Sequence, residues 1–269
     1  MTARSEIRVG ILGAGFIGMG LYRYLCSDAA AALGLAPAFV WARRAEALDE
    51  VAPDHRLGDL SFPLPGAPAL VVEAAHPDLT RRHGAGILAG SDYMPVSVST
   101  LVDETLAGAL KAAATAAGTR LILPKGALVG LQSLLSTREI WDEVTITFRK
   151  HPASIDFTDA GPPPAFGPGE TVVFDGPVQE IARLFPRNVN TMVTCALATV
   201  GIARCRGVLI ADPSLDHASA EVRAVGRDGS VVETVKRQPM VGVSGTEMLA
   251  STLRSVRIAL GRLDTLDMV

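Results

Sequence analysis

Short apolar runs alternate with longer amphipathic or alanine-rich stretches through the first 124 positions. Ile7-Arg-Val-Gly-Ile-Leu12 reads as a strand, and Met19-Gly-Leu-Tyr-Arg-Tyr-Leu-Cys26 as a helix. Further strands are expected at 36–42, 69–75, 92–99 and 119–124, with helices at 80–90 and 103–117. That alternation predicts a parallel sheet with helices on both faces. The pattern then changes. Val144-Thr-Ile-Thr-Phe-Arg149 alternates apolar and polar residues, as a half-buried strand does. Asp159–Gly169 is rich in Pro and Gly and reads as a loop, and 189–200 as a helix. Strands are expected at 207–211, 219–225 and 230–236, the last two joined by the Gly226-Arg-Asp-Gly229 turn. A closing helix is expected over 246–261. The chemistry of the first strand–helix junction refines this outline.

The first strand runs directly into Gly13-Ala-Gly15-Phe16-Ile17-Gly18, followed by a helix. Strand, glycine loop and helix in that order form a dinucleotide-binding fingerprint. Gly13 permits the tight turn, Gly15 admits a pyrophosphate to the backbone, and Gly18 lets the helix pack closely. The helix N-terminus offers unpaired N–H groups to the phosphates. The fold class is therefore α/β: an N-terminal Rossmann dinucleotide-binding domain over 1–124, and a second α+β domain over 125–244 built on a mixed or antiparallel sheet. The segment 245–269 is expected to pack back on the first domain. Arg43 and Arg44 follow the second strand, where an NAD-selective site carries an acid. Paired guanidiniums suit a 2′-phosphate, so NADP is expected, with NAD possible. The Ala75–His76 loop passes the cofactor in such a fold.

Composition is that of an ordinary soluble globular protein, with 48% hydrophobic and 20% charged residues. A net charge of −3 gives no reason to expect nucleic acid or an anionic membrane as partner. Cys26, Cys195 and Cys205 are widely spaced and odd in number, which suits reduced thiols in a cytoplasmic protein and no metal site. No signal peptide is apparent, and Arg204 and Arg206 interrupt the longest apolar region.

Several motifs, in order along the chain, resemble the aspartate dehydrogenase family. They are the glycine loop, Val71-Val-Glu-Ala-Ala75, Lys125-Gly-Ala-Leu-Val-Gly130, Thr147-Phe-Arg-Lys-His-Pro152, Phe185-Pro-Arg-Asn-Val-Asn190 and Ala211-Asp-Pro213. The Phe-Pro-x-Asn-Val-Asn segment is the most specific. The resemblance implies interconversion of L-aspartate with iminosuccinate, and hence with oxaloacetate and ammonia, using NAD(P). It implies that Ala127 and Asn190 face the cofactor and that Asn188 binds substrate. The active site is expected in the cleft between the domains, near the carboxyl ends of the parallel strands.

Three departures from the family pattern sharpen the candidates. The family's catalytic His falls on Ala220 without gaps, and His217 lies three residues earlier; His217 is the candidate proton carrier. Its alternative is a surface loop histidine. Lys125 replaces a family Ser and is a candidate for carboxylate binding or acid–base work, or else an exposed turn lysine. Val241–Glu247 replaces the family segment before the last helix; there Ser244 and Thr246 are candidates for holding a substrate anion, or for capping that helix. The expected protein is an amino acid dehydrogenase acting on a small amino acid or 2-oxo acid, as a homodimer through the second-domain sheet. The alternatives are a reductase of another small amino or hydroxy acid, or an NADP-binding protein without activity.

Overall fold

The computed structural model describes residues 6–241, 244–245 and 247–262. The chain divides into two compact units. The first runs to Ser97, resumes over Asp103–Pro124 and takes up the chain again from Leu249. The second comprises Val98–Val102 and Lys125–Met248.

The first unit contains β1 (Ile7–Leu12), α1 (Phe16–Leu25), α2 (Asp28–Ala32), β2 (Leu35–Trp41), β3 (Arg56–Leu57), β4 (Leu70–Glu73), α3 (Pro77–Leu88), β5 (Asp92–Pro95) and α4 (Glu104–Ala117). Its sheet is parallel throughout, in the order β3-β2-β1-β4-β5. The strand order reverses between β1 and β4, where doubly wound sheets open a ligand crevice at their carboxyl edge. Val9, Ile11, Leu12, Leu70, Val71 and Val72 are buried, because strands covered on both faces carry continuous apolar runs. The helix expected over 103–117 starts one residue later. The Asp103 carboxylate accepts from Leu106 N–H, and Gly118 closes the helix at a φ of 69°.

Two strand expectations are shortened. The strand over 92–99 ends at Pro95, and a 3-10 turn follows at Val98–Val102. The strand over 119–124 reduces to a single bridge between Leu121 and Tyr93. Tyr93 N–H donates to the Arg120 carbonyl and Ile122 N–H to the Tyr93 carbonyl. Pro124, lacking an N–H, cannot extend that ladder.

The second unit contains α5 (Leu131–Ser136), β6 (Trp141–Lys150), β7 (Thr171–Pro177), α6 (Val178–Leu184), α7 (Asn190–Ala198), β8 (Arg206–Ala211), β9 (Ala218–Gly226), β10 (Val231–Gln238), and the short pair β11 (Met240–Val241) and β12 (Ser244–Gly245). Helix α8 (Glu247–Ala259) follows. The sheet order is β10-β9-β6-β8-β7, with β6 and β8 parallel and the other neighbours antiparallel. The sequence leaves a mixed or an antiparallel sheet open, and the parallel β6–β8 pair makes it mixed; β7 and α6 were not foreseen. Val144, Ile146 and Phe148 of β6 and Val222 and Ala224 of β9 lie on the buried face. Helices α6 and α7 cover it so closely that a Cβ on Gly207 of β8 would lie 3.1 Å from Ile181 and 3.3 Å from Met192. The opposite face exposes Val172, Val231 and Val235.

Candidate active site

The turn between β1 and α1 is shaped by its glycines. Gly13 has a φ of 118°, and a Cβ there would lie 2.6 Å from the Ala74 carbonyl oxygen. A Cβ on Gly18 would lie 1.9 Å from the Gly13 carbonyl oxygen, so the helix closes onto the turn itself, more tightly than onto the strand. Gly15 faces open space: a Cβ there meets nothing within 4 Å. Gly15 also stands at the N-cap of α1 with no side-chain cap, which leaves the first-turn N–H groups of Phe16, Ile17 and Gly18 available to an anion. Phe16 is 45% exposed beside that opening. This open, positively polarised concavity fits the diphosphate of a dinucleotide.

Neighbouring strand ends complete the carboxyl edge. Arg43 and Arg44 are exposed immediately after β2, between Trp41 and the 3-10 turn at Ala45–Leu48, and neither forms an ion pair with a described residue. After β4, Ala74 N–H donates to the Leu12 carbonyl at 2.8 Å, which docks the Ala74–Ala75 segment against the glycine turn. His76 caps α3: its Nδ1 accepts from Asp78 N–H at 3.2 Å, and its side chain is half-exposed.

Glu73, the last residue of β4, is 0% exposed. Its carboxylate accepts from Ala75 N–H at 2.7 Å, from Ser97 Oγ at 3.0 Å and from Ser97 N–H at 3.2 Å. Burial raises its pKa from 4.5 to about 7, against the opposing pull of those donors.

In the second unit Lys150, at the end of β6, is 5% exposed. Its Nζ donates to the Asn188 carbonyl at 3.4 Å and lies 5.4 Å from the centre of the Phe148 ring. Burial lowers its pKa from 10.5 to about 8. The Asn188 side chain is engaged with backbone: Nδ2 donates to the Ser154 carbonyl at 2.8 Å, and Oδ1 accepts from Asp156 N–H at 2.8 Å. Asn188 thus braces the 154–156 turn and turns its carbonyl to Lys150. Asn190 opens α7, and its Oδ1 accepts from Ser99 N–H at 2.9 Å. Ala127 is buried in the turn before α5, whereas Lys125 in the same turn is exposed.

His217 immediately precedes β9 and pairs through Nδ1 with Asp216 Oδ1 at 2.6 Å. The Asp216 carboxylate is held below its ordinary pKa by that histidine. Nδ1 is the ring nitrogen engaged in that pair. Ala220, the position of the family's histidine in a gapless match, lies within β9 opposite Phe148 and Lys236. Ser244 lies in β12 with its side chain outside the described residues, and Thr246 lies outside them altogether. Among the described residues no cluster of His, Cys, Asp and Glu could hold a metal ion.

Glu73 and Lys150 were not singled out as sites from sequence, although each lies in a motif quoted above. A signal existed for both. The alternation Val144, Ile146, Phe148 extended by one step puts Lys150 on the buried face, and an acid closing the apolar run Leu70-Val-Val72 sits at a parallel strand end.

A glycine cradle at the reversal point of a parallel sheet, joined to a mixed-sheet domain with a buried lysine, defines an NAD(P)-dependent oxidoreductase. Residues 13–124 match the family model described as homoserine dehydrogenase, NAD binding domain, and residues 132–258 that described as aspartate dehydrogenase, C-terminal. The chain is 32% identical to an aspartate dehydrogenase domain-containing protein of Xenopus tropicalis, over 93% of this chain and 94% of that one. It is 32% identical to an L-aspartate dehydrogenase of Ralstonia nicotianae, over 95% and 97% respectively. The crystal structure of aspartate dehydrogenase from Thermotoga maritima superposes with a TM-score of 0.76 at 25% identity, covering 98% of this chain and all of that one. The protein belongs to the aspartate dehydrogenase family.

Proposed function

We propose that this enzyme is an L-aspartate dehydrogenase with NADP(H) as its preferred cofactor. It converts L-aspartate and the oxidised cofactor to iminosuccinate, the reduced cofactor and a proton. Water then releases oxaloacetate and ammonia; the reverse direction is reductive amination. The observation that carries the reading is the buried Lys150 ammonium at the end of β6, within a domain matched to the aspartate dehydrogenase C-terminal family. A cation at the carboxyl end of a strand suits a dicarboxylic substrate, because a carboxylate meets an ammonium through charge-assisted hydrogen bonds.

The nicotinamide supplies the redox chemistry by exchanging a hydride with the substrate's α-carbon. In our reading Lys150 holds one substrate carboxylate, and the Asn188 carbonyl orients its ammonium. His217 exchanges a proton with the substrate nitrogen through Nε2, with Asp216 fixing the ring. Lys125, Ser244 and Thr246 serve the second carboxylate. Gly13, Gly15, Phe16, Ile17 and Gly18 cradle the diphosphate, Ala75, His76, Ala127 and Asn190 face the cofactor, and Arg43 and Arg44 take the 2′-phosphate. Ala220 at the family histidine's position favours a second reading, in which Lys125 is the acid–base group and the substrate is another small amino or hydroxy acid.

The exposed Val172, Val231 and Val235 on one sheet face support a homodimer through that face. The three free cysteines support a cytoplasmic setting, and no described helix is long and apolar enough to cross a membrane. The test is oxidation of NADPH and of NADH, followed at 340 nm, with oxaloacetate and ammonium. Turnover that requires ammonium is expected. Turnover without ammonium, or turnover only of other oxo acids, overturns the aspartate assignment.

A further inference from the structure

The Ala74 carbonyl oxygen and the Ala75 Cβ lie 2.6 Å and 2.9 Å from where a Cβ on Gly13 would stand, so the Ala74–Ala75 turn forms one wall of the glycine cradle. That turn leaves the end of β4 and is held from below by the Glu73 carboxylate at Ala75 N–H. The same carboxylate takes both the N–H and the hydroxyl of Ser97, beyond the end of β5. The chain from β5 is drawn in further by Val96 N–H, which donates to the Glu73 carbonyl at 2.7 Å. One side chain therefore ties together the two loops that follow the strands on one side of the cradle.

We propose that Glu73 is a positioning residue of the dinucleotide site, whose ionised carboxylate holds the Ala74–Ala75 wall in the shape that binds the cofactor. A carboxylate is the group this junction requires, because backbone N–H groups and the Ser97 hydroxyl converge on it and every donor needs an acceptor. Protonation turns one oxygen into a donor and leaves those donors sharing fewer lone pairs. Among the described residues no Lys, Arg or His forms an ion pair with Glu73, so hydrogen bonds alone offset its burial. The other titratable groups facing it are Tyr93 of β5 and His76 at the start of α3. The Tyr93 phenol is buried, kept protonated by burial and by the Glu73 charge, and bonded to Thr80 Oγ1 at 2.8 Å. The His76 backbone helps to stabilise the carboxylate, and its ring points to Asp78. Burial brings the Glu73 transition up to about 7, within reach of an ordinary binding experiment.

The inference rests only on the dinucleotide part of the proposed function and is tested without any amino acid. NADH is the probe, because its phosphates do not titrate near neutrality. Its dissociation constant is measured by calorimetry between pH 5.5 and 9 for the wild type and Glu73→Gln, with circular dichroism to confirm the fold. At pH 8 the variant is expected to bind about tenfold more weakly, since one backbone N–H faces an amide N–H in place of an oxygen. The difference should close below pH 6, where the wild type carries a neutral carboxyl as well. His76→Gln should keep the wild-type pH dependence. Equal affinities at pH 8, or a loss independent of pH, overturns the proposal. If the Gln variant does not fold, the wild-type titration decides: affinity that weakens as pH falls through 7 and does so equally in His76→Gln supports the clamp, and a flat profile refutes it. Aspartate turnover does not enter the measurement, so failure of the aspartate assignment leaves the result readable.

Discussion

Replacing Lys150 with Met separates what this residue costs the fold from what it gives the site. Met keeps most of the unbranched length and removes the charge. Burial lowers the lysine's pKa from 10.5 to about 8. At 1.36 kcal/mol for each tenfold in proton affinity, the buried ammonium costs the fold about 3 kcal/mol at neutral pH. The bond to the Asn188 carbonyl returns about 1 kcal/mol, which Met forfeits. Lys150→Met should therefore be more stable than the wild type at pH 7 by at most about 2 kcal/mol, since the Phe148 ring also favours the ammonium. The sign of the pH dependence follows from the lowered value. The folded protein releases this proton more readily than the unfolded chain, so the penalty is complete below pH 8 and disappears as pH rises toward 10.5. The advantage of the variant should shrink between those limits in urea unfolding at pH 7, 8.5 and 10. The same substitution leaves a substrate carboxylate without its buried partner, a loss of roughly 2–4 kcal/mol, or about 30- to 1000-fold in kcat/KM for aspartate. The cofactor KM should stay within about twofold. A variant less stable at pH 7, with kcat/KM for aspartate nearly unchanged, would show that Lys150 is a structural ammonium and would refute the reasoning.

Arg43→Ala with Arg44→Ala should weaken NADPH about 10- to 100-fold and NADH less than threefold, as measured by calorimetry, because only the former carries a 2′-phosphate for the guanidiniums. His217→Ala should lower kcat about 10²- to 10³-fold with aspartate KM nearly unchanged; a rate within threefold of wild type in steady-state assays would return this residue to the surface. Sedimentation equilibrium should find a dimer for the wild type, and Val172→Asp with Val235→Asp should yield monomers, since both side chains stand on the exposed face of the second sheet.

The parallel sheet was legible because period and punctuation agree: apolar runs, a glycine turn and a capped helix recur in order. The Asp103 cap and the left-handed Gly118 bound α4 almost where the pattern put them. What failed to read was local and tertiary together. Residues 119–124 carry strand-forming types but secure only one bridge, because a proline removes the next donor. Strand β7 follows a Pro- and Gly-rich loop, and its apolar run Val172-Val-Phe174 is short, only partly buried and soon broken by Asp175-Gly-Pro177, so it advertises the strand weakly. Asn188 drew notice through its motif, yet its amide is committed to Ser154 and Asp156, a commitment that depends on a segment 32 to 34 residues away in sequence.

The two residues that reading passed over share a physical logic. Glu73 and Lys150 are ionisable side chains closing buried strands, each in a separate unit, and burial disfavours the charged form of both. A Met at Lys150 would suit a stability-driven core better, since buried charge is the expensive choice, and Glu73 carries a like cost to meet its donors. A charge retained at a strand's carboxyl end, bonded to neighbouring loops, is better understood as stability exchanged for a shaped or charged surface. Sequence conveys residue type and period but not that expense, which is why the period-2 register of β6 points to Lys150 only when its last step is counted. On this argument Glu73→Gln and Lys150→Met should impair different quantities, cofactor affinity and aspartate turnover respectively.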